Sequence, residues 1–320
     1  MNVRHLLVDS AVRFDILAVA AALAGAALLL PGASHAQSVD GGTQEVRYET
    51  YREGVGRLVD GVWRVQLTAR EVDWQPRGEG TPVLKAHAFR SDEGVAHIPG
   101  PMIRVEVGTP VEVTVTNGLD RKLVVRGLSD RGLPGDTIEA GIGLTVALPI
   151  MPPDALTLQA GETRSVRFTP TRPGTFVYYG RTPSATPPLS DEIFSADGPD
   201  GPFVGPLVVD SLGGGPDPNE QVMLITRWAD LALDPSSWDV SWRMMINGRA
   251  WPATERLEYT VGDSVTWRVI NVALHPHPMH LHGFYFELHA RGDQMGDTTF
   301  LPGERRLAVT EFLDGGGQTM

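Results

Sequence analysis

The sequence predicts an all-β fold, built as two β-sandwich domains in tandem. Three observations carry this. Short runs alternate apolar and polar residues, as in VWRVQLTAR (62–70), MIRVEVG (102–108), VEVTVTN (111–117) and VRFTP (166–170), each bounded by Gly, Pro, Asn or charged residues. That period of two is the pattern of half-buried strands. Gly (36) and Pro (25) are frequent while helical periodicity is scarce. Finally, the chain repeats itself: IRVEVGTPVEVTVTN (103–117) lies on LEYTVGDSVTWRVIN (257–271) without a gap.

From the N-terminus, Arg4 and Arg13 precede an apolar run from Ile16 to Leu30, then Pro31 and the small residues Ser34 and Ala36. Charge, a short apolar stretch and a small-residue cut form the order of a secretory signal peptide, placed at 1–36. Fifteen apolar residues are fewer than the roughly 20 that span a bilayer, and there is no Arg-Arg pair for twin-arginine export. The expected location is periplasmic or secreted. Arg4 and Arg13 balance Asp9 and Asp15, so the formal charge of −12 belongs to the mature part. An acidic chain without a basic run argues against nucleic acid or an anionic membrane as partner. Cys is absent, so stability rests on burial without disulfides.

The first domain is expected at 43–212, and SLGGGPDPN (211–219) holds a linker at 213–218, a Gly/Pro stretch without apolar periodicity. The second domain follows at 219–320. The overlay puts Gly108 on Gly262, Val111 on Val265, Val115 on Val269 and Asn117 on Asn271. A second overlay, QAGETRSVRFTP on LPGERRLAVTEF, puts Gly161 on Gly303 and Glu162 on Glu304. Two blocks in the same order indicate an internal duplication.

Five of the nine histidines fall in LHPHPMHLHGFYFELH, 274–289. If HPMHLHGFYF is a strand, His280 and His282, two apart, share one face. Neutral imidazoles suit Cu, Zn, Fe and Ni. His277 precedes Pro278, which holds it extended or in a turn and aims it at a different site. His275 and His289 are expected to be bystanders. No nucleophile elbow and no glycine-rich nucleotide loop occurs.

His277-Pro278-Met279-His280-Leu281-His282-Gly283 resembles the H-P-x-H-x-H-G motif of multicopper oxidases, the laccase-like cupredoxin proteins. PGPMIRVEVGTPVEVTVTN, FVGPLVVD and NGRAWP are similar to other stretches of that family, so that the resemblance runs from about residue 97 to 312. It implies two cupredoxin-like Greek-key sandwiches, copper as cofactor, and a small reducing substrate or redox partner protein; it leaves oligomerisation open. It further implies His277 as a type 1 copper ligand, with His280 and His282 serving a trinuclear cluster.

The family's dioxygen reduction needs four H-x-H pairs and a Cys, and this sequence departs from that pattern. The duplication puts Arg126 and Leu128 where His280 and His282 have their first-domain counterparts, and PGTFVYYGRTP puts Tyr179 and Arg181 where a second pair belongs. Arg offers no lone pair to a metal. A blue-copper site needs His₂Cys, and Cys is missing. The second overlay places the counterpart of Tyr179 just past Met320, so the second domain is expected to lack its closing strand. The expected function is that of an exported copper-binding relative of these oxidases, incompetent for four-electron dioxygen reduction. The alternatives are a non-enzymatic structural module and a two-domain enzyme of nitrite-reductase or small-laccase type with sites between subunits.

Overall fold

The computed structural model of the chain describes residues 46–131, 155–183, 198–229, 242–273, 275–293, 296–315 and 318–320. The signal-peptide expectation for 1–36 lies outside them. The first half contributes β1 (Val46–Tyr48), β2 (Arg57–Val59), β3 (Val62–Trp74), β4 (Leu84–Ser91), β5 (Ala96–Ile98), β6 (Ile103–Glu106), β7 (Val111–Asn117), β8 (Leu123–Arg126), β9 (Ala155–Leu158), β10 (Thr163–Phe168), β11 (Gly174–Arg181) and β12 (Val204–Asp210). The second contributes β13 (Glu220–Ala229), β14 (Trp242–Ile246), β15 (Thr266–Asn271), β16 (His277–His280), β17 (Phe286–Leu288), β18 (Ala290–Gly292), β19 (Asp297–Thr299), β20 (Arg306–Ala308), β21 (Thr310–Leu313) and β22 (Gln318–Thr319). Among the described residues the only helical element is a 3-10 turn, Gly198–Asp200. The fold is all-β.

In the first half one sheet runs β1-β5-β4-β3-β7-β10, with β2 on β3, and the other β6-β12-β11-β8-β9. The alternation along β7 is that of a sheet with one face in the core: Val111, Val113 and Val115 are buried and the residues between them half-buried. β11 breaks the alternation, with every residue from Gly174 to Gly180 buried. Phe176 and Tyr178 enter the core between the two sheets, while Val177 and Tyr179 join Val222, Leu224, Ile270 and Val272 of the second half.

The expected boundary at 213–218 is an exposed loop between β12 and β13. Two apolar clusters cross it: the one just named, and Val72, Trp74, Ala86 and Ile98 against Trp228, Met245 and Ala250. A buried ionic seam joins the halves as well. Arg104 donates to both oxygens of Asp210 (2.7 and 2.8 Å) and pairs with Glu220, which also accepts from Arg268 Nε at 2.5 Å. Among the described residues the second half has one small cluster of its own, Met223, Ile225, Val269, Ala273 and Leu313. Its main sheet runs β14-β13-β15-β22-β18-β19, while β16-β21 and β17-β20 are separate two-stranded pairs.

The duplication is visible in the backbone. β8 pairs with β9 as Leu123↔Leu158, Val124↔Thr157, Val125↔Leu156 and Arg126↔Ala155. β16 pairs with β21 as His277↔Leu313, Pro278↔Phe312, Met279↔Glu311 and His280↔Thr310. The two pairs have one register, with β16 154 residues after β8 and β21 155 after β9. The asparagines before them act alike. Asn117 Nδ2 donates to the carbonyls of Arg121 (2.8 Å), Leu158 (3.3 Å) and Gln159 (3.1 Å), and its Oδ1 accepts from Leu119 N. Asn271 Nδ2 donates to His275 (2.9 Å), Leu313 (3.0 Å) and Asp314 (3.2 Å), and its Oδ1 accepts from Ala273 N.

The first overlay therefore describes tertiary structure, and the second does not. AGE and PGE do form the same local turn, in which Glu162 accepts from Gln159 N (2.8 Å) and Glu304 from Leu301 N (2.9 Å). Yet the segment that Asn271 grips is Leu313-Asp314, so that β22, paired with β15, takes the place that β10 takes beside β7. Similar turns arose from local hydrogen bonding, whereas the sheet register was set by the asparagine clamp. The address for Tyr179's counterpart drawn from the second overlay is corrected accordingly.

Candidate metal centre

The histidine segment begins as expected and then departs. β16 covers His277 to His280, but the strand stops there, and His282-Gly283 form a turn in which Gly283 has φ +78°. That left-handed conformation is one glycine adopts without strain. His282 is thus held by a turn rather than by strand alternation, a correction to the extended reading. The two rings still meet, with centroids 4.9 Å apart and planes at 81°. His280 Nδ1 lies 2.7 Å from Thr310 Oγ1 on the neighbouring β21. With Nδ1–H donating, the Nε2 lone pair of His280 is left for a metal. Both histidines are exposed.

His277 lies elsewhere. Burial alternates along β16, with His277 and Met279 half-buried and Pro278 and His280 exposed, so His277 shares the face of Met279, which packs on the small second-half cluster. Its Nε2 is buried without a hydrogen-bond partner. Burial first, and then the neighbouring His275, hold its pKa below the usual imidazole value, which keeps the ring neutral. His275 lies 3.4 Å from Arg227 through Nδ1, and His289 Nε2 bonds Glu287 at 2.7 Å.

The structure brings the two first-half addresses together. Arg126 of β8 stands directly opposite Tyr179 of β11. Leu128 is buried in the first-half core. Arg181 lies with its guanidinium 4.8 Å from the centroid of the Tyr179 ring, and it donates to the carbonyls of Gly180 (2.7 Å) and Asp200 (3.3 Å). Asp200 in turn pairs through Oδ1 with His87 Nδ1 at 2.5 Å, and its Oδ2 accepts from Thr182 N (2.7 Å) and Oγ1 (2.9 Å). Burial would raise the Asp200 carboxyl, but the His87 hydrogen bond and the Arg181 charge outweigh it and hold it below its usual value. His87 and Asp200 carry no sequence signal for this role, being 113 residues apart.

A trinuclear copper cluster does not fit this arrangement. Its first-half positions hold two guanidinium groups, a buried leucine and a buried tyrosine, and two cations repel metal ions. Among the described residues no three or more His, Cys, Asp or Glu are grouped to hold a metal ion. A type 1 site does not fit either, since His277 has no thiolate to join it. The His280/His282 pair supplies two imidazoles.

Residues 221–310 match the family model of multicopper oxidases. The chain carries a multicopper oxidase domain. Among solved structures, the multicopper oxidase domain and the first half together resemble the multicopper oxidase mgLAC (19% identity, TM-score 0.55, 80% of this chain and 74% of that one). They likewise resemble the copper nitrite reductase of Nitrosomonas europaea (19%, TM-score 0.54, 81% and 82%). At such identities the likeness is one of fold, and it is cupredoxin-like. A curated relative, a probable nitrite reductase-hydroxylamine oxidoreductase fusion protein of Kuenenia stuttgartiensis, is 24% identical over 235 residues, 70% of this chain. The chain spans a quarter of that relative's length (25%). Among the described residues no helix is long and apolar enough to cross a membrane.

Proposed function

We propose that the chain works outside the cytoplasm as a copper-binding protein of the multicopper-oxidase type, without the ability to reduce dioxygen by four electrons on its own. The observation that carries this reading is the division of the site. The half with the imidazoles holds His280 and His282 4.9 Å apart, while Arg126, Leu128, Tyr179 and Arg181 stand at the places where the other ligands would be. The pair would hold one copper ion with its remaining positions open to water, and copper bound there would supply one-electron redox chemistry toward a small reductant or a redox partner protein. Export rests on the leader-like residues 1–36.

Copper titration of the purified mature chain tests the proposal. One weakly held copper per chain without an intense blue absorption is the expected result; two or more tightly held ions, or a strong blue band, would sink it. A second reading, a non-enzymatic structural module, is favoured by the Arg181–Asp200–His87 cluster, which fills the first-half address with satisfied polar groups. Replacing His280 and His282 together by Ala separates the two, because a structural module keeps its cellular role without them.

A further inference from the structure

Ser91, His97 and Glu49 meet in the first half, away from the histidine segment. β1 runs parallel to β5 with Arg47 opposite His97, and β4 runs antiparallel to β5 with Phe89 opposite His97. Residues two apart on a strand share a face, so Ser91 and Glu49 reach His97 from its two sides. Ser91 Oγ lies 2.8 Å from His97 Nε2, and His97 Nδ1 bonds Glu49 Oε1. With Nδ1–H donating to the carboxylate, Nε2 is the acceptor for the hydroxyl proton. His97 is 1% exposed, Ser91 4% and the Glu49 side chain 9%. Ser91 ends β4 and opens an exposed turn, Asp92 to Gly94. In that turn Ser91 N donates to Val95 O (3.2 Å) and Gly94 N to Ser91 O (3.0 Å), while the amides of Asp92 and Glu93 make no backbone bond among the described residues. The carboxylates of the turn are paired, Asp92 with Arg57 (3.0 Å) and Glu93 with Arg47 (2.9 Å).

We propose that Ser91, His97 and Glu49 form an acyl-transfer site that cleaves small esters. A hydroxyl, a base within hydrogen-bond reach and a third group orienting that base are what activates a serine, and such a set is recognised by geometry rather than by sequence position. Ser91 Oγ forms a bond to the ester carbonyl carbon as its proton passes to His97 Nε2. The ester C–O bond then breaks, and the alcohol leaves with that proton. Water gives a proton to His97 as it attacks the acyl-serine, the free acid departs, and the proton returns to Ser91 Oγ. Glu49 is a positioning residue: it fixes the tautomer with Nδ1–H and faces the imidazolium that forms, in a buried place where opposite charge counts for more than in water. The amides of Asp92 and Glu93 are the backbone donors at hand for the carbonyl oxygen. The narrow opening at Ser91 sets the substrate class, an acyl group as small as acetyl on a good leaving group. The site uses no residue of the histidine segment and does not depend on copper.

The test uses the whole chain without added metal, and p-nitrophenyl acetate as the probe. Release of p-nitrophenolate is expected, with an acetyl group found on Ser91 by peptide mass mapping after an acid quench, and Ser91→Ala is expected to abolish both. His97→Gln should slow acetylation by about 100-fold or more. Glu49→Gln should lower the first-order rate by about tenfold or more and leave the ester concentration at half-saturation unchanged, a split that partial unfolding does not produce. The protein has no cysteine, so Ser91→Cys introduces a single thiol at the nucleophile's place; its acetylation is the expected result and decides the matter should the other variants not fold. The proposal is overturned if Ser91→Ala releases p-nitrophenolate as fast as the parent, or if Ser91 is acetylated equally fast beside Gln at position 97. Acetylation that appears only when urea unfolds the chain overturns it too, and would leave the three residues as a buried clip between β1, β4 and β5.

Discussion

Arg126 and His280 end the same four-residue strand in the two halves of the chain, with the same partner strand and the same asparagine clamp behind it. Arg126 is half-buried between two strands, and His280 is exposed at an edge. The half that closes around its site has guanidinium groups and tyrosine there, and the half that retains imidazoles leaves them open to solvent. Burial and the imidazole pair lie on different copies of one unit. A closed copy without ligands can be stable, because Arg181, Asp200, His87 and Thr182 satisfy one another. The copy with the imidazole pair is the one to which the proposed copper binding belongs, and two imidazoles would hold an ion loosely.

Four experiments break or sharpen this contrast. The largest effect belongs to Asp200→Ala, which strands the buried His87 and Arg181 groups. Unfolding midpoints should reveal a loss of about 3 kcal/mol, with the copper affinity of the second half unmoved. Because its carboxyl is held below the ordinary value, the Asp200 contribution is present above about pH 4 and is lost as pH falls through the depressed value; the variant should flatten that acid limb. A loss well under about 1 kcal/mol would mean that Asp200, His87 and Arg181 do not act as one buried network.

Asn117→Ala and Asn271→Ala come next, because each orphans three carbonyls. Denaturation should register about 2 kcal/mol for each, but only Asn271→Ala should speed hydrogen exchange at 277–280 and weaken copper binding. Equal effects of both on copper would erase the distinction between the halves. Thr310→Val removes the hydroxyl beside His280 Nδ1 and should weaken copper binding about tenfold, leaving the melting temperature close to that of the parent. Unchanged affinity would show that Thr310 does not orient the ligand.

The smallest effect is that of pH on the second half. His277 is held below the usual imidazole value, so the unfolded chain takes up its proton first as pH drops. Stability is therefore full above about pH 6.5 and declines below it until the folded value is passed. His277→Gln should remove a modest, salt-screened part of that decline, read as the slope of unfolding free energy between pH 7.5 and 5.5.

How much was legible beforehand follows from range. Alternation at 111–117 and the punctuation of Gly and Pro specified strands because they act over two to four residues. The match of Asn117 with Asn271 marked a true equivalence, for these side chains grip carbonyls in the next strand. AGE and PGE matched for a local reason, the same turn, and said nothing of the sheet around it. The strand stops at His280, and His282 sits in a turn with a left-handed Gly283; a glycine in a sequence does not declare the sign of its φ. His87 and Asp200 could not be paired by inspection at all.

By itself, the sequence determined the strand content, the duplication, the absence of a thiolate and the identity of the residues at each copy's site. Those are matters of residue type and short spacing. Only the tertiary structure decided that Arg126 faces Tyr179, that Asp200 ties Arg181 to His87, that two apolar clusters bind the halves into one body, and that β16 pairs with β21 in the register of β8 with β9. Each of these depends on which distant strands pair, and pairing is chosen by the summed packing of both faces.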